Sequence, residues 1–92
     1  MMLAQFHDTP DQMVLQVSGR LAKGWVEELE VCWRAERKKS PVRRFSVDLR
    51  GVTFIDKSGE RLLRVMHRDG ATFLVGGLLV EEVINQITGG SK

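Results

Sequence analysis

Phe45-Ser46-Val47-Asp48-Leu49-Arg50-Gly51-Val52-Thr53-Phe54-Ile55-Asp56-Lys57-Ser58-Gly59 is the stretch on which the rest of the chain is organised. Phe45, Val47 and Leu49 are apolar at alternate positions, which is the pattern of a buried strand. A Gly-containing turn is expected next, at Gly51, and then a second apolar patch from Val52 to Ile55. An acid, a base, a serine and a glycine follow, and a helical pattern begins at Glu60. Ser58 therefore falls at or near a helix N-terminus, among unpaired backbone N–H groups and at the positive end of the helix dipole. That position suits an exposed polar side chain and tolerates a phosphate.

Upstream, Leu3 to His7 is a weak strand pattern, and Asp8-Thr9-Pro10-Asp11 carries strong turn chemistry. Met13 to Ser18 reads as a strand with Met13, Leu15 and Val17 on one face. These two segments predict an N-terminal antiparallel hairpin closed by Gly19. The spacing predicts a helix from Trp25 to about Lys38, with Val26, Leu29, Cys32 or Trp33, and Glu36 on one side. Glu27, Glu28 and Glu30 come early and Arg37, Lys38 and Lys39 late, an order that matches the dipole. Ser40-Pro41 is the expected stop.

Downstream, a helix from Glu60 to about His67 gathers Leu62, Leu63 and Met66 on one face and leaves Arg61, Arg64 and Arg68 elsewhere. Asp69-Gly70 ends it, Ala71 to Val75 is a short strand, and Gly76-Gly77 is a break. A last helix carries Val80, Val83, Ile84 and Ile87, with residues 88–92 expected as a flexible tail. The order β-β-α-β-α-β-α predicts an α/β fold: one domain over residues 1–92, a small mixed sheet and helices on one face.

Composition narrows the function. Of the 92 residues, 42% are hydrophobic and 28% charged, an ordinary balance for a globular chain. A net charge of +2 is too small to demand nucleic acid or an anionic membrane as partner. Cys32 is the one cysteine, which rules out an internal disulfide; its place on the apolar side predicts a buried thiol. The start lacks the pattern of a signal peptide, and no apolar run approaches the roughly 20 residues that cross a bilayer. A cytoplasmic protein without membrane insertion is the expectation.

No catalytic or cofactor motif stands out. His7 and His67 lie far apart without metal-ligand spacing, so surface or packing roles are expected. No Walker A loop, G-x-G-x-x-G or G-x-S-x-G pattern occurs. No cofactor and no enzymatic activity are expected, because no acid, base and nucleophile converge. Asp56-Lys57-Ser58-Gly59 has a chance likeness to the D-K-T-G motif of P-type pumps, but Glu60-Arg61-Leu62 does not continue it. Arg34, Arg37, Lys38, Lys39, Arg43 and Arg44 form a basic cluster whose neighbouring aromatics, Trp33 and Phe45, are assigned to the core. Stacking platforms are lacking, so the cluster reads as a solvated helix end rather than a nucleic-acid patch.

From Val47 to Gly59 the chain resembles a STAS domain, the anti-sigma factor antagonist family, whose strand has the form D-L-x-x-V-x-x-I/M-D-x-S/T-G. Leu15-Gln16-Val17-Ser18-Gly19-Arg20-Leu21 is similar to the family's v-x-G-x-L strand end, and Asp69 to Gly77 to its next strand. The resemblance implies a partner-switching role. The unphosphorylated protein would bind an anti-sigma factor that is also a serine kinase, and phosphorylation of Ser58 would break the contact. The implied partner surface comprises Asp56, Lys57, Ser58, Gly59, Arg61 and Arg64. Lys57 and Glu60-Arg61 depart from the residues common in partner-switching members, and the last strand and helix of many members are missing. The same family implies a second possibility, an accessory subunit docked on the ATPase of a lipid-transporting ABC system. Without the resemblance, Ser58 reads as a plain helix-cap or turn serine.

Overall fold

The structure, a computed structural model, describes residues 2–39 and 44–89. Its elements are β1 (Met2–Asp8), β2 (Gln12–Leu21), α1 (Lys23–Lys39), β3 (Arg44–Ile55), α2 (Lys57–Arg68), β4 (Thr72–Leu74) and α3 (Leu78–Ile87). The element order and the mixed sheet match the expectation. β1 and β2 are antiparallel, with Met2 opposite Gly19 and Asp8 opposite Met13. β3 lies parallel to β2 and β4 parallel to β3, so the sheet order is β1-β2-β3-β4. Thr9 closes the hairpin: its hydroxyl donates to the Gln12 carbonyl (2.7 Å) and accepts from the Gln12 N–H (3.0 Å).

One face of the sheet carries Met13, Leu15 and Val17 beside Phe45, Val47 and Leu49, all buried. The helices lay Val26, Leu29 and Trp33, then Leu62, Leu63 and Met66, then Val80, Ile84 and Ile87 against it. Trp33 and Phe6 both meet the Phe45 ring edge-on, with centroids 6.2 and 6.3 Å away. Such pairs add to what burial of the rings supplies.

Four expectations are corrected. Gly51 is no turn, because β3 runs unbroken for 12 residues. It carries extra residues against β2: Gln16 faces Asp48 but Ser18 faces Gly51, and Gly19 faces Val52 but Arg20 faces Phe54. These bulges change the alternation, so Leu49 and Val52 are both buried while Phe54 is exposed. Cys32 is exposed, because Trp33 takes the inward position of that turn. Further, α1 starts at Lys23, which leaves its first turn without an acid and moves Glu27, Glu28 and Glu30 further in. Ser40, Pro41 and Arg43 lie outside the described residues. Thr88 is the C-cap of α3 rather than tail, its N–H and hydroxyl both donating to the Ile84 carbonyl (2.9 and 3.0 Å). Residues 90–92 of the expected tail lie outside the described residues.

The other sheet face is polar. Asp48 is buried there, held by the Arg50 Nε (3.0 Å), Nη2 (2.9 Å) and backbone N–H (3.1 Å). The Arg50 guanidinium, its backbone N–H and its charge, with a smaller pull from His7, hold the Asp48 carboxyl below its ordinary 3.8 against the opposing effect of burial. A depressed folded-state pKa means that this contribution is complete above about pH 4 and fades as pH falls through the folded value. Arg50→Gln should therefore unfold at lower urea than wild type at neutral pH, with the gap closing in acid. Urea midpoints at both pH values check this; a gap that persists in acid overturns it.

Candidate functional site

β3 hands over to α2 at Asp56, whose extended backbone (φ −91°, ψ −175°) makes it the N-cap. Its N–H donates to the Leu21 carbonyl (3.1 Å), tying the ends of β2 and β3 together, and its own carbonyl accepts from Glu60 (2.9 Å). The carboxylate then serves three donors. Oδ1 accepts the Gly59 N–H (2.8 Å) and the Ser58 hydroxyl (2.7 Å), and Oδ2 accepts the Lys23 N–H (3.0 Å). Lys23 has φ +35°, a conformation unusual outside glycine, so the bond to Asp56 holds a strained entry into α1. The Ser58 hydroxyl, then the Gly59 N–H, and more weakly the Lys23 and Ser58 N–H groups keep the Asp56 carboxyl below its ordinary 3.8, with partial desolvation opposing.

The cap is thus Asp56 rather than Ser58, and α2 begins at Lys57, earlier than the Glu60 predicted. Capping by aspartate accounts for the difference, because it fixes the first turn ahead of the apolar pattern. Gly59 is buried within that turn. A Cβ there would stand 2.6 Å from the Leu21 carbonyl oxygen, so only glycine lets α2 come this close to the sheet.

Ser58 is half-buried and lies where two open hollows meet between α1 and α2. One, ≈ 680 Å³, is lined by Lys23, Gly24, Val26, Glu27, Asp56, Lys57 and Ser58. The other, ≈ 240 Å³, runs from Ser58 past Glu27 and Glu30 to Arg61, Leu62 and Val65. Asp56, Lys57, Ser58 and Arg61 are therefore brought together, and Gly59 supports them from beneath. Arg64 is not: it lines neither hollow and pairs with Glu60 one turn back (Nη2 to Oε2, 2.8 Å). Lys57, Arg61, Arg64 and Arg68 are exposed at spacings of four, three and four, which makes a basic stripe along α2. Lys57, Arg61 and Arg68 form no ion pair among the described residues.

Sequence reasoning missed the α1 side of the site. Lys23 enters through its backbone N–H, which no residue pattern signals, and Glu27 and Val26 enter only through packing of α1 on α2. The resemblance reached Leu21 and stopped two residues short of Lys23.

No protein-family model matches the chain, and comparison with curated proteins finds no match. Solved structures of a protein named Mglu share the fold. Mglu in its native form superposes with a TM-score of 0.60 at 20% identity, over 79% of this chain and 22% of that one. Another Mglu structure gives 0.61 at 23% identity, over 79% and 19%. The chain thus spans about a fifth of the length of the Mglu chains. At this identity the likeness is one of fold alone. Among the described residues, no helix is long and apolar enough to cross a membrane.

Proposed function

We propose that this protein is a STAS-like, non-enzymatic regulator in the cytoplasm. In this reading it binds an anti-sigma factor that is also a serine kinase through the start of α2, and phosphorylation of Ser58 releases it. The observation that carries the reading is the Ser58 hydroxyl, 2.7 Å from Asp56 Oδ1 at the mouth of two open hollows. A phosphate on that oxygen removes the donated proton and adds about −1.5 to −2 charges. Asp56 keeps its negative charge, so the two anions repel and the phosphate turns outward toward Lys57 and Arg61. The helix dipole favours that charge by roughly 0.3–1 kcal/mol, so the fold survives and the change falls on the contact surface. Lys57 offsets part of the charge, so Lys57→Ser deepens the affinity loss on phosphorylation; equal losses with and without the substitution would remove that role.

Affinity capture from the native lysate, with wild type beside Ser58→Asp, tests the proposal. Wild type should retain a serine kinase of the anti-sigma type, and Ser58→Asp should bind it about tenfold more weakly or less. Equal retention of an ABC ATPase by both forms would replace this reading with the transport-accessory one. Equal retention of the kinase by both would leave no switch at Ser58.

A further inference from the structure

The sheet has an uneven border. β4 pairs only with Ser46, Val47 and Asp48, whereas β3 runs on to Ile55. Gly76 passes close beside Arg50 before the chain turns into α3; a Cβ on it would stand 3.2 Å from the Arg50 side chain. From Val52 to Ile55 this side of β3 meets no strand among the described residues, and its backbone N–H and C=O groups have no ladder partner there. An apolar groove of ≈ 170 Å³ runs along that border, between Thr53, Phe54 and Ile55 on one wall and Leu79, Val80 and Val83 on the other. Leu79 is 76% exposed and Phe54 42%, large apolar side chains of the kind that mark interaction sites when they cluster. Glu82 neighbours Val83 and stands about one helical turn beyond Leu79; it is exposed and forms no ion pair among the described residues.

We propose that this border of β3 takes an extended segment of a partner protein as an added strand. The segment carries apolar side chains at alternate positions and a lysine or arginine beside Glu82. Each element of that description answers a separate feature. Open backbone groups on a strand border are satisfied by another extended backbone, and neither a docked helix nor a small apolar molecule supplies one. The groove accepts every second side chain, since alternate residues of a strand point the same way. The unpaired Glu82 carboxylate selects a basic residue. A second copy of this chain fits less well: its two edge strands, β1 (Met2-Leu3-Ala4-Gln5-Phe6-His7-Asp8) and β4 (Thr72-Phe73-Leu74), contain no lysine or arginine. This surface is distinct from the Ser58 hollows, although Ile55 directly precedes Asp56.

A displayed library of random peptides, about twelve residues long, selected on the 92-residue chain, tests the proposal. The expected winners alternate apolar and polar residues and carry a lysine or arginine. N-methylation of alternate amides in a winning peptide should abolish binding in one register and spare it in the other. Leu79→Lys, at an exposed position that leaves the melting temperature unchanged, should weaken binding about tenfold or more. Glu82→Lys should weaken it too, with rescue when the peptide's base is replaced by glutamate. Ser58→Asp should leave it unchanged. The proposal is overturned by the absence of an enriched pattern, or by binding that survives both N-methylation registers or Leu79→Lys. A concentration-dependent dimer abolished by Leu79→Lys would overturn it equally, since the groove's occupant would then be a second copy.

Discussion

Gly59→Ala destabilises the fold by roughly 1–3 kcal/mol, about 5–15 °C in Tm, even though alanine is the better helix former. Propensity alone favours the substitution by about 0.5–1 kcal/mol in a helix interior. The added methyl, however, would stand 2.6 Å from the Leu21 carbonyl oxygen, 3.0 Å from Leu21 Cγ and 3.1 Å from Ile55 Cγ2. The first of these is backbone, and it cannot swing aside freely because it accepts the Asp56 N–H. Relief requires α2 to lift from the sheet, which loosens Leu62, Leu63 and Met66 in the core. Overpacking therefore outweighs propensity. Gly24→Ala is the control: nothing lies within 4 Å of its added Cβ, so it should be neutral or stabilising by up to about 1 kcal/mol. Thermal melts followed by circular dichroism separate the two, and a Gly59→Ala protein as stable as wild type would refute the close approach of α2.

The element order was legible because each element carries its own period: alternation in Met13–Val17 and Phe45–Leu49, and spacings of three and four in Leu62–Met66 and Val80–Ile87. The details that failed depend on contacts between elements. Gly51 looks like a turn because glycine is a favoured turn residue, yet here it sits opposite Ser18, whose Cβ would stand 2.7 Å from a Cβ at position 51. A bulge is a mismatch between two strands, and a single strand's pattern does not contain it. Cys32 and Trp33 are adjacent apolar residues, and periodicity leaves either on the inner face. The ring wins because Phe45 offers it an edge-on partner. In the site, Ser58 was legible as lying at or near a helix N-terminus, although the helix was read as starting at Glu60; the carboxylate's reach to Lys23 joins residues 33 positions apart and left no trace in local pattern.

That long reach sets the second large effect. Asp56→Ala leaves the Gly59 N–H, the Ser58 hydroxyl and the Lys23 N–H without their acceptor, and Tm should fall by roughly 5–10 °C. Asp56→Asn divides the loss. Asparagine is itself a good N-cap, and its oxygen can still accept from Gly59 and Ser58. Its amide nitrogen then faces the Lys23 N–H, donor against donor, so the tie between α2 and the strained start of α1 is broken while the cap stays. The Asn variant should melt between wild type and Asp56→Ala. Amide hydrogen exchange should quicken at Lys23 and stay slow at Gly59. The pH dependence has a definite sign: the folded-state pKa of Asp56 is depressed, so its contribution is complete above about pH 4 and is lost as pH falls through the folded value. Wild type and Asp56→Asn should therefore converge in acid. A phosphate on Ser58, as the proposed function has it, would act on the same carboxylate, withdrawing one donor and adding a neighbouring anion. Faster Lys23 exchange on phosphorylation would carry the signal from α2 into α1; unchanged exchange at Lys23 in both Asp56→Asn and the phosphoprotein would show that the carboxylate is not the link.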